Sequence, residues 1–182
     1  MSARRRLILC ALPLGLSLAC VTPSGSEENP GNREERGTWR FTAVLEQNTC
    51  GTVAVESPEE ISYEATLAQT DVRAEWQLDG ADVVYGSVRS DGQWWFDRSS
   101  EVFGYDGAPV GCTYLQTERM GLDAVPEDAT QDAGTTEIEG TSRTTLSTAT
   151  GYDCTAALSS VGGVFLELPC VIDYRLHAVR AD

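Results

Sequence analysis

The feature that most constrains this chain is a side-chain alternation of period two. It recurs from Gly37 to the C-terminus and breaks at aspartate–glycine pairs. Trp39, Phe41, Ala43 and Leu45 alternate with Arg40, Thr42, Val44 and Glu46. Ile61, Tyr63, Ala65 and Leu67 alternate with Ser62, Glu64, Thr66 and Ala68, and Val72, Ala74, Trp76 and Leu78 with Arg73, Glu75, Gln77 and Asp79. A strand turns successive side chains to opposite faces, so each run reads as a strand with one apolar face. Asp79-Gly80 opens a tight hairpin into Val83–Val88, Asp91-Gly92 opens another into Trp94-Trp95-Phe96, and Asp106-Gly107 marks the next break. Two longer stretches, 111 to 123 and 135 to 148, lead to a last strand near 170 to 180 with Ile172, Tyr174, Leu176 and Ala178 on one face. No window carries a helical period of useful length. The fold class is all-β.

Eight strands joined mostly by short hairpins predict a single antiparallel up-and-down barrel over residues 37–182, because closure removes exposed strand edges. A two-sheet β-sandwich is the alternative. The opening Gly37-Thr38-Trp39 resembles the Gly-x-Trp signature of lipocalin-like barrels. That resemblance implies a tryptophan plugging the closed end and a lumen for a small hydrophobic ligand.

The N-terminus carries a second signal. Arg4, Arg5 and Arg6 precede an apolar run from Leu7 to Leu18, which ends in Leu16-Ser17-Leu18-Ala19-Cys20. A basic head, about a dozen apolar residues and a small residue before the cut form a secretory signal, too short to span a bilayer. The cysteine directly after Ala19 makes the segment resemble the lipobox of bacterial lipoproteins. The resemblance implies a signal peptide over 1–19 and lipidation of Cys20, with export and lipid anchoring to the bacterial cell envelope. Val21 after the cysteine implies the outer membrane. Two or more acyl chains anchor stably where one is marginal. Residues 20–36 hold Pro, Gly, Ser, Asn and charge and read as a disordered tether, spanning roughly 20–25 Å if flexible.

Removal of such a signal shifts the charge balance. The whole chain carries 13 basic and 28 acidic residues, a net charge of −15. Three of the basic residues precede Leu7 and no acid precedes Glu27, so the remainder carries 10 basic against 28 acidic residues, a net charge near −18. Nucleic-acid binding needs a basic footprint, and this chain has the reverse. Adhesion to anionic headgroups is disfavoured as well, so membrane association would run through the covalent lipid.

Cys10 leaves with the signal and Cys20 goes to lipid. Cys50, Cys112, Cys154 and Cys170 remain, an even number that reads as two disulfides in an exported domain. Their spacing, with no CxxC and a single histidine, does not match a zinc framework. If the strands alternate direction, all four fall at one end of the barrel. Cys170 on the last strand then lies near Cys50 on the first, and Cys112 near Cys154. Pairing of Cys154 with Cys170 across the loop 149–169 is the rival.

Signals for chemistry are few. His177 alternates outward with Asp173 and Arg175, there is no GxSxG elbow, and one histidine excludes HExxH. The acidic stretch 127–132 lacks the ligand order of a calcium loop and reads as a solvated hairpin. The chain is therefore read as a non-enzyme without cofactor or metal. Trp39, Phe41, Tyr63, Trp76, Tyr85, Trp94 and Phe96 are the candidates to line a lumen. Of Trp94 and Trp95, one must face outward. The function expected is that of an anchored structural or interaction module, its partner an envelope protein, with carriage of a small hydrophobic ligand as the alternative. A solvent-reachable cavity of about 300 Å³ or more favours carriage, and a filled interior opposes it.

Overall fold

The computed structural model describes residues 33–70, 73–103, 112–125 and 137–181. The signal segment, Cys20, the tether up to residue 32, the Asp106-Gly107 break and the acidic stretch 127–132 lie outside the described residues.

Eight antiparallel strands close into one barrel in sequence order. They are β1 (Glu34–Asn48), β2 (Glu60–Gln69), β3 (Arg73–Leu78), β4 (Val84–Val88), β5 (Trp94–Phe103), β6 (Thr113–Leu122), β7 (Glu137–Thr148) and β8 (Cys170–Arg180). Closure is made by β1 against β8, with Trp39 opposite Arg180 and Phe41 opposite Ala178. The sandwich alternative is thereby set aside. β1 starts at Glu34, three residues inside the stretch read as tether.

Alternation decides which side chains turn inward. Trp39, Phe41 and Ala43 on β1 join Ala65 and Leu67 on β2, and Leu176 and Ala178 on β8, in one buried cluster. Ala74, Trp94, Phe96, Met120, Leu122, Val125 and Ile138 complete it. Residues of the opposite phase lie on the outer wall and form ion pairs, with Arg119 to Asp97 at 2.6 Å and Arg143 to Asp173 at 2.7 Å. An apolar interior under a charged wall is the reverse of a membrane-spanning barrel, whose outer face is apolar.

The wall is uneven. β3 has 6 residues and β4 has 5, whereas the other strands have 10 to 15. β3 pairs with β2 only along Ala65–Gln69, and β4 pairs with β5 only at Trp94 and Trp95. Above that level, residues 60–64 of β2 and 97–103 of β5 face each other without a strand between them among the described residues. Among the described residues this leaves a window in the wall between β2 and β5.

At the end where β1 finishes, two single 3₁₀ turns (Thr155–Ala157 and Ser159–Val161) form part of a cap between β7 and β8. Phe165 from this cap is buried against Tyr114, with ring centroids 5.0 Å apart. The Leu166 amide donates to the Cys50 carbonyl at 2.9 Å, tying the cap to the end of β1.

Candidate functional site

Tyr85 apart, the predicted lumen aromatics pack against one another, and none of them lines the cleft described below. Phe41 lies against Tyr63 and Trp76 in near-parallel stacks, with centroids 5.3 and 5.6 Å away. Phe96 meets Trp76 edge-on at 5.8 Å, and Trp94 tilts against Phe96 at 6.4 Å. Trp39 is buried beneath them, and its indole N–H donates to the Arg36 carbonyl at 2.9 Å. Burial raises the Tyr63 hydroxyl well above the ordinary tyrosine pKa. This half of the barrel is filled.

Tyr85 does not belong to the set. It is 55% exposed on the outer wall, with the Arg73 guanidinium 4.9 Å from its ring centroid. The inward residues of β4 are Val84, Gly86 and Val88. A Cβ at Gly86 would sit 2.6 Å from the Phe96 ring and 2.4 Å from the Trp95 carbonyl oxygen, so the glycine makes room for the aromatic core. That fixes the phase of β4 and turns Tyr85 out.

The open space lies in the other half. A cleft of about 300 Å³ sits below the cap and behind the window. Its apolar wall comprises Ile61, Val102, Leu146, Phe165, Ile172 and the Tyr174 ring, with Val55 and Pro58 from the loop after β1. Gln116 and Thr144 supply polar groups. They follow from register, since the inward-phase rows of β5 and β6 pass from apolar to polar here: Phe96 lies opposite Met120, the exposed Arg98 opposite Glu118 and the exposed Ser100 opposite Gln116. Gln116 Nε2 donates to Glu118 at 2.6 Å, and the Tyr174 hydroxyl donates to the Pro58 carbonyl at 3.2 Å. Tyr114 also lines the cleft. It is only 2% exposed, burial raises its pKa, and its hydroxyl has no hydrogen-bond partner.

Two disulfides fasten this end. Cys50 bonds to Cys170 and Cys112 bonds to Cys154. The first bridges the strands that close the barrel; the second holds the cap to the start of β6. All four cysteines pack in one cluster with Tyr114, Leu146, Phe165 and Ile172.

The remaining candidates fall elsewhere. His177 is on the outer wall, its Nε2 3.7 Å from a Glu137 carboxylate oxygen and 3.9 Å from one of Glu139. Trp94 is the inward member of its pair. Trp95 faces out beneath the Arg89 guanidinium, 4.1 Å from its ring centroid, beside an outer-wall depression of about 380 Å³. Among the described residues, no group of three or more His, Cys, Asp or Glu side chains is placed to hold a metal ion.

No family model, curated protein or solved structure matches this chain. The site therefore rests on its own geometry: a cleft with an apolar wall, a few polar groups and a disulfide-fastened cap. None of its lining residues belongs to the aromatic set read from sequence. The available signal was the run of polar residues at inward-phase positions of β5 to β7, which a filled barrel would not carry.

Proposed function

We propose that this chain is a lipid-anchored envelope protein whose barrel binds a small, mostly apolar molecule in the cleft at its disulfide end. The observation that carries the binding reading is the cleft of about 300 Å³, lined by Ile61 of β2 and Val102 of β5 on the two sides of the window. At liquid density that volume takes about ten non-hydrogen atoms. Convergent polar groups on one side of an apolar cavity are the common pattern of small-molecule sites. Partner docking by strand addition fits the window less well. The β5 edge there carries Asp97, Arg98 and Glu101, and charges on an edge discourage strand addition.

Support for the anchor comes from the sequence Leu16-Ser17-Leu18-Ala19-Cys20. Two disulfides fit an oxidising compartment outside the cytosol. In this reading the lipid holds the protein while the acidic domain stays off anionic headgroups. Two measurements test the two halves. Cys20→Ala should move the protein from the membrane to the soluble fraction, and a variant that still sediments with membranes refutes the anchor. Native mass spectrometry of the detergent-released wild type should show a co-purifying small molecule. A mass explained by polypeptide and covalent lipid alone counts against the cleft as a loaded site.

A further inference from the structure

The three most exposed large apolar side chains among the described residues all stand at the capped end. Val53 is 77% exposed, Val161 63% and Leu166 62%. Leu166 lies against Gly51, where a Cβ would come within 2.9 Å of its Cγ. Val53 follows two residues on, in the turn that the Ala54 and Val55 amides close on the Gly51 carbonyl at 3.1 Å. Val161 belongs to the second 3₁₀ turn, which is held at its base by the Ser159 amide donating to the Phe165 carbonyl at 2.7 Å. Single exposed apolar residues are ordinary, but their gathering at one end of a charged barrel is not. The frame beneath them is fixed by both disulfides and the buried Phe165. A partner binding here meets a preorganised surface, so little ordering entropy is lost.

Charge at this end differs from charge on the wall. Residues 49–59 and 149–169 contain four acidic side chains, Glu56, Glu59, Asp153 and Glu167, and no Arg, Lys or His. All four are exposed, and none forms an ion pair with a described residue. On the wall Glu64, Asp97 and Asp173 are paired with Arg40, Arg119 and Arg143. Unpaired carboxylates around an apolar centre favour a basic complement and oppose an acidic one. A second copy docking face to face would bring these same carboxylates together. Anionic headgroups would be repelled too. The chain enters β1 at Glu34, at the other end of the barrel, so an anchor preceding it is attached at the end remote from the cap.

We infer that the cap is a docking surface for a protein whose matching face is basic with an apolar centre. Val53, Val161 and Leu166 supply the apolar contact, and the four carboxylates orient the partner and exclude acidic ones. The surface is independent of the cleft as a binding site; only the direction in which the cap points rests on the anchor.

Fluorescence anisotropy with the detergent-released full chain tests it, using three labelled twelve-residue peptides. One carries two leucines among arginines and serines, the second has glutamate in place of each arginine, and the third has serine in place of each leucine. The first should bind most tightly, the third more weakly, and the glutamate peptide not at all. Val53→Ser combined with Leu166→Ser should weaken the first peptide about tenfold, the scale of losing an interface anchor. Tyr85→Ser, which alters an exposed aromatic on the wall, should leave it unchanged. Glu59→Gln combined with Glu167→Gln should flatten the dependence of binding on salt. Hydrogen exchange of the wild type needs no variant, and the first peptide should protect residues 51–55 and 159–167. Failure of the first peptide to bind, binding indifferent to the Val53 and Leu166 changes, or protection elsewhere overturns the docking surface. Equal binding of the glutamate peptide overturns the charge assignment. Protection of the same residues on reconstitution into phosphatidylethanolamine–phosphatidylglycerol vesicles, without peptide, replaces the protein partner by the membrane. Protection that grows with protein concentration alone replaces it by a second copy.

Discussion

Replacing Cys50 and Cys170 with alanine should destabilise the barrel more than replacing Cys112 and Cys154, and the margin follows from the loops they close. A cross-link removes loop-closure entropy from the unfolded chain, more for a longer loop. Bridges spanning 120 and 42 residues would each, acting alone, contribute about 4.9 and 4.0 kcal/mol at 25 °C. The two are nested, however, because Cys112 and Cys154 lie between Cys50 and Cys170. With the inner bridge intact, the outer loop shortens to about 78 residues and its contribution to about 4.5 kcal/mol. Closing the cycle of four species leaves the inner bridge about 3.6 kcal/mol when the outer is present. All four sulfurs are buried, so the packing lost on truncation is similar for both pairs and largely cancels. The outer-pair variant should therefore be less stable by about 0.9 kcal/mol, or about 2–4 °C in melting temperature. Urea unfolding under non-oxidising, non-reducing conditions measures this, and the slope on denaturant should rise in both variants as the unfolded chain expands. An inner-pair variant as unstable as the outer-pair variant, or more so, would refute the reasoning.

Gly163→Ala should loosen the cap, since a Cβ there would stand 2.1 Å from the Ala157 backbone carbonyl; melting should fall by several degrees, on the scale of about 1–3 kcal/mol for overpacking. Hydrogen exchange should localise the loss to residues near Phe165, and an unchanged melting curve would contradict the packing described. Alkaline pH should weaken the fold through Tyr63. Its folded pKa is raised by burial above the unfolded value of about 10, so its contribution is complete below pH 10 and declines above it. Tyr63→Phe should lose about 1.4 kcal/mol less than wild type between pH 9 and pH 11 in urea titrations, and equal losses would mean the hydroxyl is not desolvated.

Strand positions were legible because a half-buried strand must alternate, and the alternation in 39–46 or 170–180 has no other reading. Strand direction puts the four cysteines at one end, and the closure of β8 on β1 then decides between the pairings left open by placing Cys170 beside Cys50. Phase was harder to read. In Val84-Tyr85-Gly86-Ser87-Val88 the largest apolar residue faces water, and the inward glycine matters only for the Phe96 ring packed against it. The cleft was hidden for a related reason. Gln116 and Thr144 look like surface residues, and only their register, Gln116 opposite Leu146 and Thr144 opposite Ile172, shows that they face inward. Cap residues such as Phe165 carry no periodic pattern, because their burial is set by contacts distant in sequence.

The seam between the first and last strands also orders events in time. β1 can pair with β2 as soon as both exist, yet its other edge waits for Cys170–Arg180, the final described strand. Contacts of such long sequence separation form slowly, because the chain entropy is spent before the contact forms. A chain moving N-terminus first through a ribosome exit or a translocation pore therefore carries an open sheet until Cys170–Arg180 has emerged. Only then do Cys50 and Cys170 meet, and the outer disulfide is a covalent record that the ring has closed.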